Sequence, residues 1–252
     1  MPPPLILHCH MPKTAGSALN RQVLLPRFER SRAMLAYGVG FERRRQFPVG
    51  EVTPPPGLAM IAGHVPVGYA DGLGRPVLHI SILRDPVERM FSFLNFVAVA
   101  ERHGLRKRFD VDMQHVAKTA PERFVLMMLD DRMVGLRQTN VMTRLASGMA
   151  RLSKNRPEKG HLAKAITHIN AGAYEVGVQE KFDRFTARLN DRLDAENAGV
   201  PETAGDVIQT DKAEKRLARV ITMEDASTAT IDAVRAANDL DQRLYEFVHA
   251  RC

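Results

Sequence analysis

The 252-residue chain predicts an α/β fold: a central parallel sheet with helices on both faces. Three observations carry that expectation. Short apolar runs at 5–8, 58–62, 77–83 and 174–178 alternate with helical patterns, and strands that alternate with helices build a parallel sheet buried on both sides. The first run feeds straight into Pro12-Lys13-Thr14-Ala15-Gly16-Ser17, a tight loop ahead of an amphipathic segment. The third, VLHISIL, passes directly into Arg84-Asp85-Pro86-Val87-Glu88. There Asp85 suits a helix N-cap, Pro86 the first helical position and Glu88 the first turn.

Taken in order, residues 5–8 are the first strand. Its helix starts near Ser17 and stops at Pro26, where the ring removes a donor. Residues 29–57 are rich in Arg, Gly and Pro and read as a loop without periodicity. The run 58–62 is a buried strand ended by Gly63-His64-Val65-Pro66. After Asp85, apolar residues at 87, 90, 91, 94, 97 and 98 mark one helix face. Residues 103–108 end that helix, and 121–134 read as another. Residues 138–149 read as a polar turn holding Asn140, Arg144 and Gly148. A helix over 162–169 precedes the strand 174–178, and Phe182, Phe185, Leu189 and Leu193 trace a further helical stripe. Residues 194–225 read as a flexible loop or flap, and 228–250 as one amphipathic helix through Ile231, Val234, Leu240, Leu244 and Val248. The whole chain, 1–252, reads as a single domain.

Composition narrows the function classes. With 44% hydrophobic and 26% charged residues the chain is globular and not disordered. A formal charge of +7 favours anionic partners or a solvated basic surface. The two cysteines, Cys9 and Cys252, build no disulfide framework, which fits a reducing compartment. No apolar run approaches the ~18 residues of a membrane span, and the N-terminal residues lack a signal-peptide pattern. The expectation is a soluble cytoplasmic protein.

Lys13, His64 and Arg84 each follow directly after an expected strand. In open α/β sheets ligands bind beyond the carboxyl ends of the strands, so these three define the candidate site. The loop at 12–17 offers backbone N–H groups at a helix start, the Lys13 charge and the Thr14 and Ser17 hydroxyls, a donor set made for an anion. A nucleotide-triphosphate loop would read G-x-x-x-x-G-K-S/T. Here the Lys precedes the small residues and the first Gly is missing, so the loop is P-loop-like without being an ordinary ATP or GTP cradle. His8 and His10 alternate onto one strand face beside Cys9, but no second ligand cluster completes a metal site. The expected metal set is none.

Together these segments resemble the nucleotide-dependent carbohydrate sulfotransferases, in particular the uronyl 2-O-sulfotransferase-like branch. Pro12-Lys13-Thr14-Ala15-Gly16-Ser17 resembles the loop that grips the 5′-phosphosulfate of 3′-phosphoadenosine 5′-phosphosulfate (PAPS). Gly63-His64-Val65 resembles the family's base-bearing turn. The stretch from Leu83-Arg84-Asp85-Pro86 to Phe91-Ser92-Phe93 resembles its 3′-phosphate motif, and residues 138–148, 176–183 and 238–247 resemble further segments in the same order.

The resemblance implies a P-loop-like three-layer fold and O-sulfation. PAPS would be the donor, PAP (adenosine 3′,5′-bisphosphate) the product, and the acceptor a hydroxyl, on a glycan or glycolipid, that is not presented on a sugar nucleotide. It implies Lys13 and His64 as catalytic residues: Lys13 stabilises the leaving 5′-phosphate oxygen, and a neutral His64 takes the acceptor proton. A site crowded with Lys and Arg favours that neutral form. Pro12, Lys13, Thr14, Ala15, Gly16 and Ser17 would hold the 5′ end, and Arg84 with Ser92 the 3′-phosphate. Arg144 would support cofactor or substrate, or form a structural salt bridge. Lys212, in the charged cluster 212–216, would cover the nucleotide or belong to a solvated loop. The basic patches 43–45 and 102–108 would guide an acidic acceptor or be solvated surface.

Rival classes remain open on the residues alone. A P-loop kinase or nucleotide hydrolase shares the strand–loop–helix, but would need Lys directly before Ser/Thr and an acidic strand end for magnesium. A basic nucleic-acid-binding protein fits the charge, yet with 6% aromatics and no Trp it lacks evident stacking platforms, so no nucleic-acid partner is expected. A family member that binds nucleotide without catalysis is the third.

Overall fold

The computed structural model describes residues 3–99, 111–130, 138–196, 198 and 220–252. Its contacts divide the chain into two compact units. One comprises residues 1–84, 141–207 and 243–252, the other 85–140 and 208–242.

The first unit is built on a five-stranded sheet, β1 (Leu5–Cys9), β2 (Ala33–Ala36), β3 (Met60–Gly63), β4 (Val77–Leu83) and β5 (Tyr174–Val178), in the order β2-β3-β1-β4-β5. Every neighbouring pair is parallel. This is the α/β class that the alternating pattern predicts. Ile6 stands opposite Met60 on one side and Leu78 on the other, so their side chains share a face. That face is covered by Leu19, Val23 and Leu24 from the segment after the loop and by Phe185, Leu189 and Leu193 of α8 (Phe182–Ala195). Within the sheet a buried hydroxyl chain crosses three strands. Tyr174 Oη donates to Ser81 Oγ at 2.8 Å, and Ser81 Oγ donates to the Cys9 carbonyl at 2.9 Å.

β1, β3, β4 and β5 lie where the sequence puts them. β2 does not: it lies inside the stretch 29–57 expected to be aperiodic loop. Ala-Met-Leu-Ala has no β-branched residue, and as an edge strand it leaves Leu35 exposed, so neither propensity nor alternation marks it. Past the loop, α1 (Gly16–Leu19) continues as a π turn over Asn20–Leu24 and a 3₁₀ turn over Leu25–Arg27. A short helix α2 (Val39–Glu42) follows β2.

The expected polar turn at 138–149 is a second correction. It contains α6 (Val141–Ala146), whose every residue is buried. A helix buried all round shows no amphipathic stripe, so its polar residues read as turn. α7 (Lys159–Asn170) spans the expected 162–169 and packs beside β5.

In the second unit α3 (Pro86–Ala98) begins as expected. The Asp85 carboxylate accepts from the N–H groups of Val87 and Glu88 at 2.9 and 3.0 Å. Residues 87, 90, 91, 94, 97 and 98 are all buried. They pack against Phe124, Val125 and Met128 of α5 (Pro121–Met128) and Val234 of α9 (Thr228–Ala237). α4 (Val111–Thr119) was not expected. The expected helix 121–134 ends at Met128, and 131–134 lie outside the described residues.

The expected single helix over 228–250 divides at Asn238 into α9 and α10 (Asp239–His249). Asn238 Oδ1 accepts from the Asn140 N–H at 2.9 Å, and Asn140 Oδ1 accepts from the Asp241 N–H at 3.0 Å. The Asn140 side chain thus satisfies a backbone donor where the ladder is interrupted, and the Asn238 side chain holds the Asn140 backbone in return.

No helix among the described residues is long and apolar enough to cross a membrane. The cluster 212–216 with Lys212, the patch 102–108 and most of the expected flap 194–225 lie outside the described residues.

Candidate functional site

Strand order locates the site before any side chain is considered. From β1 the chain runs to β2 at one edge of the sheet, and from β4 it runs to β5 at the other. β1 and β4 are hydrogen-bonded neighbours. Their onward connections diverge, so the crevice between their carboxyl ends is the topological switch point, where α/β sheets bind ligands. Lys13 follows β1 and Arg84 follows β4. The structure brings them together: Arg84 Nη1 donates to the Lys13 carbonyl at 3.5 Å.

The loop that carries Lys13 is strained in a specific way. Lys13 and Ala15 hold φ of 67° and 68°, left-handed values that a side chain disfavours. Left-handed residues alternating with right-handed ones are the backbone pattern of nests, in which successive N–H groups turn toward one point. Such outliers cluster at ligand sites, where the surrounding structure holds them. Thr14 secures the turn from within: fully buried, it donates Oγ1–H to the Met11 carbonyl at 2.9 Å.

The chain matches no protein-family model and no curated protein. The site therefore stands on its own geometry.

His64, just past β3, is half-buried and its Nδ1 lies 2.7 Å from the His10 carbonyl. A carbonyl only accepts, so Nδ1 is the donor and, in the neutral ring, Nε2 carries the lone pair. That is the tautomer a general base requires. Its ring centroid is 4.9 Å from His10's and 5.1 Å from Tyr37's. Gly63 ahead of it is required by close approach, since a Cβ there would sit 2.1 Å from the Ala36 carbonyl oxygen of β2.

Among the other expected residues, Pro12 and Gly16 are buried in the loop, Ala15 is half-buried and Ser17 exposed. The Thr14 hydroxyl proton goes to the Met11 carbonyl, so in this structure it braces the loop. Ser92 sits half-buried on α3, in the second unit. Arg144 is fully buried and donates to the carbonyls of Ser153 (3.4 Å) and Asn155 (2.7 Å), contacts that fasten the chain after α6. Lys212 lies outside the described residues.

Sequence reasoning missed Asn20 and Tyr37. Asn20 joins His8, whose Nδ1 lies 2.6 Å from its Oδ1, to Tyr37, whose hydroxyl accepts from its Nδ2 at 3.0 Å. A signal existed for Asn20, a polar residue between the buried Leu19 and Val23. Tyr37 had none, because β2 was not legible. Among the described residues no group of three or more His, Cys, Asp or Glu is placed to hold a metal ion.

A cavity of about 1210 Å³ opens elsewhere in the first unit, lined by Phe47, Pro48, His79, Lys164 and Tyr174 among others. His79 and Tyr174 lie toward the amino ends of β4 and β5, away from the switch point.

Proposed function

We propose that the protein transfers a sulfuryl group from PAPS to a hydroxyl, as the resemblance to carbohydrate sulfotransferases suggests. The observation that carries this reading is the joining of two cations at the switch point, Lys13 in a left-handed loop and Arg84 against the Lys13 carbonyl. An adenosine nucleotide with anionic groups at both its 5′ and 3′ positions is the ligand that such a pair suits. Lys13 and the N–H groups of Ala15, Gly16 and Ser17 would hold the 5′ end. The planar guanidinium of Arg84 would take the 3′-phosphate.

PAPS supplies a sulfuryl group on a good leaving phosphate. The acceptor oxygen forms a bond to sulfur as the bond from sulfur to the 5′-phosphate oxygen breaks. The acceptor proton goes to His64 Nε2, and the leaving oxygen gains the negative charge that Lys13 and the loop N–H groups stabilise.

A magnesium nucleotide is a poorer fit. The acidic group nearest these strand ends in sequence is Asp85, and its carboxylate already caps α3. The glycan or glycolipid acceptor and the cytoplasmic setting are part of the proposal. Two unpaired cysteines, one of them buried, support the setting. A screen of hydroxyl acceptors with radiolabelled PAPS tests the reading: label moves to a sugar hydroxyl, or the reading fails.

A further inference from the structure

His8 and His10 have no part in the chemistry above, yet both are buried and stacked, with ring centroids 5.2 Å apart and planes 14° from parallel. His8 Nδ1 lies 2.6 Å from Asn20 Oδ1, Asn20 Nδ2 lies 3.0 Å from Tyr37 Oη, and Tyr37 Oη lies 2.6 Å from His10 Nδ1. Four side chains from three parts of the chain form one line of hydrogen bonds.

The line has a direction. Asn20 Oδ1 can only accept, so His8 Nδ1 donates. Asn20 Nδ2 can only donate, so the Tyr37 oxygen accepts, and its single proton is left for His10 Nδ1. Burial holds the Tyr37 hydroxyl up at about 12, so that proton is present at neutral pH. Burial, with His64 a lesser influence, lowers His8 to about 4 and His10 well below 6.5, so both rings are neutral. Turning the Asn20 amide over would reverse every bond and leave His8 Nε2, buried with no partner, as an N–H. The direction given leaves a lone pair there instead, and buried orphaned N–H groups are the rarer case.

His10 therefore carries its proton on Nε2, on the ring edge that faces the anion loop. A Cβ on Gly16 would meet His10 Cδ2 at 2.2 Å and Nε2 at 2.6 Å. We propose that His10 Nε2–H is a further hydrogen-bond donor to the anionic group held by the 13–17 loop, kept in that tautomer by the ordered line His8–Asn20–Tyr37–His10. This deepens the sulfuryl-transfer reading and rests on it for the identity of the anion. A neutral donor at this place can stabilise the 5′-phosphate oxygens without adding a charge that would bind them too tightly for release.

Long-range nitrogen–proton spectra of the protein labelled at histidine report each ring's tautomer without any substitution. Adenosine 3′,5′-bisphosphate is then titrated in without magnesium. The expected result is His10 protonated on Nε2, with that nitrogen shifting as the bisphosphate binds. Two variants separate donor from brace. Gln at position 10 replaces the Nε2 donor, and Asn replaces only the Nδ1 side. His10→Gln should keep bisphosphate affinity near wild type, and His10→Asn should lose about tenfold. Bisphosphate binding with His10 protonated on Nδ1, with an unmoved Nε2, or with equal or reversed effects of the two variants overturns the His10 role and leaves sulfuryl transfer standing. No bisphosphate binding by the wild type overturns both.

Discussion

Arg84 Nη1 donates to the backbone carbonyl of Lys13 at 3.5 Å, which ties the ends of two adjacent parallel strands at the one place where their onward connections diverge. Arg84→Ala should weaken adenosine 3′,5′-bisphosphate by about 10- to 100-fold, the range for losing a charged hydrogen-bond partner. Arg84→Lys should recover only part of that, since a point charge does not reproduce the planar fork. Calorimetry on both variants checks this.

Lys13→Ala should lower turnover by about 10² to 10³, as removal of a donor to the developing charge does. The substitution keeps a side chain at the left-handed position, so the fold should be nearly unaffected, with a stability change within about 0.5 kcal/mol. His64→Ala should leave bisphosphate affinity within twofold and cost turnover about 10² or more. Transfer that survives in His64→Ala removes this residue from the mechanism.

The fold was legible where one principle acts alone. β4 and β5 were read to the residue because Val77–Leu83 and Tyr174–Val178 are short apolar runs with β-branched residues. The start of α3 was read because Asp, Pro and Glu occupy consecutive capping roles. β2 escaped because edge strands need little β-propensity, and α6 because burial on every side erases periodicity. The end of α9 escaped because it depends on Asn140, 98 residues away. At the site, Lys13, His64 and Arg84 could be placed from their position after strands. The left-handed φ of Lys13 and Ala15 could not, because glycine is the residue that signals such angles. The His8–Asn20–Tyr37–His10 line could not either, since it needs β2 beside β3 to deliver Tyr37.

Glycine substitutions test that packing directly. Gly63→Ala puts a methyl 2.1 Å from a backbone oxygen of β2, which cannot rotate away. It should cost about 1–3 kcal/mol in urea unfolding, the usual penalty for overpacking. Gly40 has nothing within 4 Å of an added Cβ and lies in α2, so Gly40→Ala should be neutral or stabilise by up to about 1 kcal/mol.

His8 predicts a pH dependence of stability. Its folded value, about 4, lies below the ordinary 6.5, so between those pH values the unfolded chain binds a proton that the folded chain does not. Stability from this group is therefore full above about pH 6.5 and falls as pH drops toward 4. From pH 7.5 to 5 the loss should be about 2 kcal/mol. His8→Asn removes the titrating ring, so the gap between wild type and variant should narrow by that amount over the same range. A gap that stays constant in urea unfolding at the two pH values rejects a neutral buried His8.

The central claim is that Lys13 and Arg84 clasp one doubly anionic adenosine nucleotide. Calorimetry of the unmodified protein with adenosine 3′,5′-bisphosphate in the absence of magnesium, set beside magnesium-ATP, measures it most directly. The account predicts one bisphosphate site that is at least tenfold tighter than magnesium-ATP and is lost or sharply weakened in Lys13→Ala and Arg84→Ala. Binding of magnesium-ATP as tight as the bisphosphate, or bisphosphate binding indifferent to both substitutions, contradicts it.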